Sequence, residues 1–124
     1  MIAKLYISIL LICSFVFVHA QTTDTVFKKE WIRIDTLIIK QNQPKTALAE
    51  VNKLYEKAKQ QQLHPQIIKC LVYRLSLEDR IFDNKPNNAI SILENEISIT
   101  KDEAAKSILY CLLANRYQQY YNNN

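Results

Sequence analysis

Apolar residues return every three or four positions along most of this chain, and polar clusters interrupt them at Gln41–Gln43, Gln60–Gln62, Asn84–Lys85 and Thr100–Asp102. That periodicity predicts five helices, over about 26–40, 44–60, 65–80, 86–98 and 101–121. In the first, Phe27, Trp31, Ile34, Leu37 and Ile38 share one face. Pro44 opens the second, where its missing N–H is no loss. Leu48, Val51, Tyr55 and Ala58 form its buried stripe, with Glu50, Lys53 and Lys57 on the other side. Pro65 opens the third helix, and His64 before it reads as a cap or loop residue. Ile67 to Leu77 is apolar on nearly every side, so this helix should be covered on more than one face and lie at the centre. Ile90, Leu93 and Ile97 line the fourth. Thr100 and Glu103 have the spacing of a capping box that opens the fifth.

The pattern also repeats. Pro44-x-x-Ala47-Leu48-x-x-Val51 returns about 42 residues later as Pro86-x-x-Ala89-Ile90-x-x-Leu93, and Cys70-Leu71-Val72-Tyr73-Arg74 returns, with one insertion, as Cys111-Leu112-Leu113-Ala114-Asn115-Arg116. A period of that size is the mark of stacked helical hairpins. The expected fold is all-α: an α-solenoid, tetratricopeptide-like stack of antiparallel hairpins. Helices two and three form one hairpin and helices four and five the next, while helix one covers the open end. No strand alternation persists. The chain has no glycine, against a usual share of about 7%, so no position is expected to need the left-handed backbone.

The first twenty residues follow a different rule. Lys4 precedes an apolar run from Leu5 to Val18, and Val18-His19-Ala20 suits a signal peptidase. The run is shorter than the roughly 20 residues of a membrane span. A secretory signal peptide over 1–20 is therefore expected, leaving one helical-repeat domain over 21–124, periplasmic or extracellular, with no stable membrane span. The whole chain has 16 basic and 12 acidic residues. The charges are interspersed, so no nucleic-acid partner is expected. Cys70 and Cys111 remain in the domain, and stacked helices about 8–10 Å apart do not bring equivalent cysteines within disulfide reach. Both read as small buried side chains.

Candidate chemistry is sparse. His64 has no cysteine or carboxylate at ligand spacing, so no metal site follows. Glu78-Asp79 and Asp102-Glu103 are adjacent on helices and point apart. A phosphate-cradling loop would need glycine. No catalytic residue and no cofactor is expected. The fifth helix is more telling, because Tyr110, Leu113, Tyr117, Tyr120 and Tyr121 give it a long, mostly aromatic flank. The fourth helix is too short to cover it all, and terminal repeats usually turn a polar face outward. This flank is the candidate interaction surface.

Three segments together carry a resemblance. Ile34-Asp35-Thr36-Leu37-Ile38 is followed by Pro44-Lys45-x-Ala47-Leu48-x-x-Val51-x-Lys53-Leu54-Tyr55-x-Lys57-Ala58-Lys59, then by Gln66-x-Ile68-Lys69-x-Leu71-x-Tyr73-Arg74-Leu75. In this order they resemble the N-terminal helical region of large exported bacterial alpha-2-macroglobulin-like proteins. Leu112-Leu113-Ala114-x-x-Tyr117-Gln118-Gln119-Tyr120-Tyr121 resembles the same region. The resemblance implies a leading piece of a protease trap, docking against downstream macroglobulin-like domains or an envelope protein. It carries over no bait segment. It also carries over no thioester, whose cysteine is followed three residues later by glutamine, because here Cys70 is followed by Tyr73 and Cys111 by Ala114. The alternative expectation is a free-standing tetratricopeptide-like adaptor that holds a peptide or protein between its hairpins.

Overall fold

The computed structural model describes residues 25–82 and 86–122, so the expected signal peptide lies outside the described residues. Every regular element among them is helical: α1 (25–39), α2 (Pro44–Gln60), α3 (His64–Phe82), α4 (Pro86–Ile99) and α5 (Glu103–Asn122). α2 packs along α3 and α4 along α5, and the hairpins join where α3 meets α5. The all-α fold of stacked hairpins follows directly from the period of the apolar positions.

One continuous core runs through the stack. Phe27, Trp31, Ile34 and Leu37 of α1 join Ala47, Val51, Leu54 and Tyr55 of α2 and Ile67, Cys70, Leu71 and Leu75 of α3. Ala89, Leu93 and Ile97 of α4 and Leu109 of α5 extend it. α1 is tied to both helices of the first hairpin. Trp31 Nε1 donates to Gln66 Oε1 at 2.8 Å, and Tyr73 OH donates to Asp35 Oδ1 at 2.9 Å. The rings of Trp31 and Tyr73 tilt against each other at 4.7 Å, with Lys69 Nζ 4.3 Å from the Trp31 centroid. Glu50 is not simply solvated: it bridges Lys53 and Arg33, each at 3.0 Å. The Lys53 bond, ahead of Arg33, holds its carboxyl below the ordinary value. α3 faces α1, α2 and α5, as its all-round apolar surface requires, although Val72 stays exposed.

Three local expectations are corrected. First, the lack of glycine does not mean that no residue turns left-handed. Asn42 has φ 50° and Gln62 φ 54°, each just after a helix. After α2 the chain closes a Schellman turn, in which Gln62 N donates to Lys59 O and Leu63 N to Ala58 O. A short helix-to-helix connection needs that reversal whatever residue occupies it. Asn42 is a tolerant choice, and Arg80 Nη2 donates to its Oδ1 at 2.6 Å. Gln62 is a costly one. Gln62→Gly is therefore expected to stabilise the protein by about 0.5–1 kcal/mol, the relief of the Cβ clash less the added freedom of the unfolded chain. A urea midpoint that stays put or falls would show that the turn carries no such strain.

Second, Thr100 does not cap α5. Its Oγ1 and its N both donate back to Glu96 O, at 2.7 and 3.0 Å, closing α4. Asp102 is the cap: its Oδ1 accepts from Ala105 N at 2.7 Å. A carboxylate suits the positive end of the helix dipole better than a hydroxyl. His64 is likewise not a cap but the first residue of α3, since Ile67 N donates to Leu63 O. Third, of the two cysteines among the described residues only one is buried. Cys70 is enclosed and its thiol is pushed up to about 12 by burial, whereas Cys111 is exposed, and the two are not bonded. At the 42-residue offset Leu112 takes the place of Cys70, so Cys111, one residue earlier, lies about 100° off the core face.

Candidate interaction surface and cleft

α5 has 20 residues against 14 in α4, so its far end extends beyond the partner helix. The apolar residues of α5 are spread round its axis. Ala105 and Leu109 face inward, and Leu112 and Leu113 pack partly against the core. Tyr110, Tyr117 and Tyr121 are 54, 47 and 84% exposed. Their spacing of seven and four residues puts them on one helix face. Tyr120 is exposed nearer the core side. Leu113 thus departs from the expected surface set: it is half-buried, because its position on the helix turns it toward the core.

The tyrosine face has a polar tie to α4. Tyr117 OH donates to Glu94 Oε1 at 2.8 Å, and that bond, ahead of any burial, raises the phenol above its ordinary value. Arg116, on the inner side of α5, reaches Asp79 Oδ2 of α3 at 2.5 Å. The orientation of α5 is therefore set by an ion pair on one side and a phenol–carboxylate bond on the other. On that face the rings of Tyr110, Tyr117 and Tyr121 are left toward solvent. Exposed Ile108 lies on a different side of the same helix.

A second feature was not legible in sequence. Glu96 is 3% exposed although it is charged. Tyr55 of α2 donates its hydroxyl to Glu96 Oε2, and Lys59 Nζ stands 3.8 Å from the same oxygen and 5.2 Å from the centre of the Tyr55 ring. Burial first, then the carboxylate, holds the Tyr55 phenol well above its usual range. The periodicity of α2 marks Tyr55 as a core residue, and nothing in the sequence says that Glu96, 41 residues on, meets it.

Lys59 and Glu96 of this cluster line a cleft of about 270 Å³ between the α2–α3 and α4–α5 turns, together with Gln62, His64, Ile67, Ile99, Thr100 and Lys101. Among the described residues no group of three or more histidines, cysteines or carboxylates could hold a metal ion, and no helix is long and apolar enough to cross a membrane. Comparison with known proteins finds no matching family model, no similar curated protein and no similar solved structure.

Proposed function

We propose that this chain is a non-enzymatic, exported interaction module, the N-terminal helical part of an alpha-2-macroglobulin-like protease-trapping protein. It docks through α5 on the downstream macroglobulin-like domains or on an envelope protein. The observation that carries this reading is the face of Tyr110, Tyr117 and Tyr121 left exposed on α5. Tyrosine suits such a surface, having a large apolar body and a hydroxyl able to stay hydrogen-bonded when covered. Burying the exposed part of each ring would contribute about 1 kcal/mol, enough for the three to favour one docked orientation. The ordered motifs from Ile34 to Leu75 supply the family reading.

The full chain is expected to bind a hydrophobic dye or to self-associate. A variant with Tyr110, Tyr117 and Tyr121 all replaced by serine should do neither, with its helical content kept. A monomer that ignores the dye, with a high and sharp melting transition, would mean that the face is already covered. The family reading is checked separately by the coding sequence that follows Asn124. Macroglobulin-like sequence there, or in a neighbouring gene, is expected. An independently regulated gene with neither overturns it.

A further inference from the structure

The cleft between the two inter-helix turns is chemically unlike the tyrosine face. It contains one buried anion, Glu96, and that anion is already balanced: Tyr55 donates to it and Lys59 stands 3.8 Å away. Two further basic side chains line the same space. His64 at the start of α3 is half-buried, and Lys101 in the α4–α5 turn is exposed. Neither side chain has a hydrogen-bond or ion-pair partner among the described residues. Gln62 adds an amide at the rim, and the first turn of α3 contains no acidic residue. The apolar part of the lining is Ile67, at the core, and Ile99, which is 49% exposed despite its size.

Charge decides what such a cleft accepts. A cationic ligand would have to displace Lys59 from Glu96, exchanging one ion pair for another at no net gain. An anion meets no such competitor, because Tyr55 and Lys59 already partner the Glu96 carboxylate. Lys101 gives the anion an ammonium donor, and His64 and Gln62 add ring and amide N–H groups. The isoleucines make an apolar tail more favourable than a bare ion, since covering Ile99 removes apolar surface from water. The volume suits a ligand of a few heavy atoms and is below that of most drug-sized pockets.

We infer that this cleft is a binding site for a small carboxylate with a short branched apolar tail, the acid group between Lys101 and His64 and the tail against Ile99 and Ile67. Two sources share that chemistry: a free branched acid, and an apolar residue at a chain end. The site stands apart from the tyrosine face and does not depend on it.

The test is a titration of the isotope-labelled full chain, followed by the amide signals of Gln62, His64, Thr100 and Lys101. The probes are 4-methylvalerate for the free acid, N-acetyl-leucine for the chain end, 4-methylvaleramide as the uncharged control and inorganic phosphate as the bare anion. Saturable shifts of these four amides are expected with one or both carboxylates, and which of the two acts identifies the source. Lys101→Met is expected to weaken binding about tenfold, the usual scale for loss of one charge-assisted contact. Lys101 is exposed and unpartnered, so that variant should keep the fold, which the unchanged remaining signals would verify. Tyr121→Ser is expected to leave the affinity unaltered. The inference is overturned by no saturable shift, by equal binding of the amide or of phosphate, or by an affinity that Lys101→Met does not change.

Discussion

Leu71→Ala is expected to destabilise the protein by about 3–4 kcal/mol, near the upper part of the range for large-to-small core changes. Leu71 is 0% exposed and lies midway along α3. α3 is the helix that α1, α2 and α5 all contact. A cavity there has rigid walls on several sides and cannot collapse by shifting a single neighbour, which is the circumstance that makes such losses large. Domains of this size have about 5–15 kcal/mol in all, so the variant should unfold at much lower urea and populate a partly unfolded state at 37 °C. Val72→Ala, one residue along but 43% exposed, should change stability by less than about 1 kcal/mol. Equal effects of the two would mean that α3 is not the shared centre of the stack.

The second large effect is expected at the buried carboxylate. Tyr55→Phe removes the hydroxyl that donates to Glu96 and leaves that side chain, 4% exposed, facing only Lys59 at 3.8 Å. An ionised acceptor deprived of a donor in the interior costs about 2 kcal/mol. Lys59 itself is 34% exposed, and its contribution is correspondingly screened. Removing both partners is a different matter. Tyr55→Phe with Glu96→Leu keeps the volume and leaves no orphaned group, so the double variant should lose less than Tyr55→Phe alone. The cycle is expected to give a coupling of about 1–2 kcal/mol in urea unfolding. If Tyr55→Phe is neutral, water entering through the cleft already satisfies Glu96.

The same pair sets an alkaline limit. The native phenol of Tyr55 is held above its ordinary value by burial and by Glu96, while in the unfolded chain it ionises near pH ~10. Cys70, pushed up to about 12 by burial, behaves alike against an unfolded value near ~8.5. In both cases the native state keeps a proton that the unfolded state gives up. Their contribution is therefore complete below pH ~8.5 and is lost as pH rises through the native values. The melting temperature should fall steadily above pH ~9, and Tyr55→Phe should flatten the part of that fall above pH ~10.

Much of this architecture was legible because it rests on local periodicity. Phe27, Trp31, Ile34 and Leu37 recur at helical spacing, and all four are buried. Val51, Tyr55 and Ala58 do the same in α2. The excess length of α5 over α4, and with it the exposure of Tyr117 and Tyr121, also follows from counting positions. What local periodicity does not determine lies at the joints. The absence of glycine does not exclude left-handed residues, because the turn geometry imposes them on Asn42 and Gln62. Thr100 and Asp102 both carry capping side chains, and only the path of the chain decides that the first bonds backward to Glu96 and the second forward to Ala105. Cys111 lost its burial to a single-residue offset.

The order of apolar and polar residues thus determined, by itself, that this protein is helical, where its helices run, and that they pair as hairpins, since an amphipathic stripe specifies which face must be covered. Tertiary structure alone decided what meets across the hairpins. Tyr55 and Lys59 of α2 meet Glu96 of α4, and Tyr117 of α5 meets Glu94 of α4. Those pairings depend on how far one helix slides and turns against the next, a quantity set by packing of the whole core and by no local stretch of residues. The cleft has the same origin: its wall is built from two turns some forty residues apart, which only the docking of one hairpin on the other brings together.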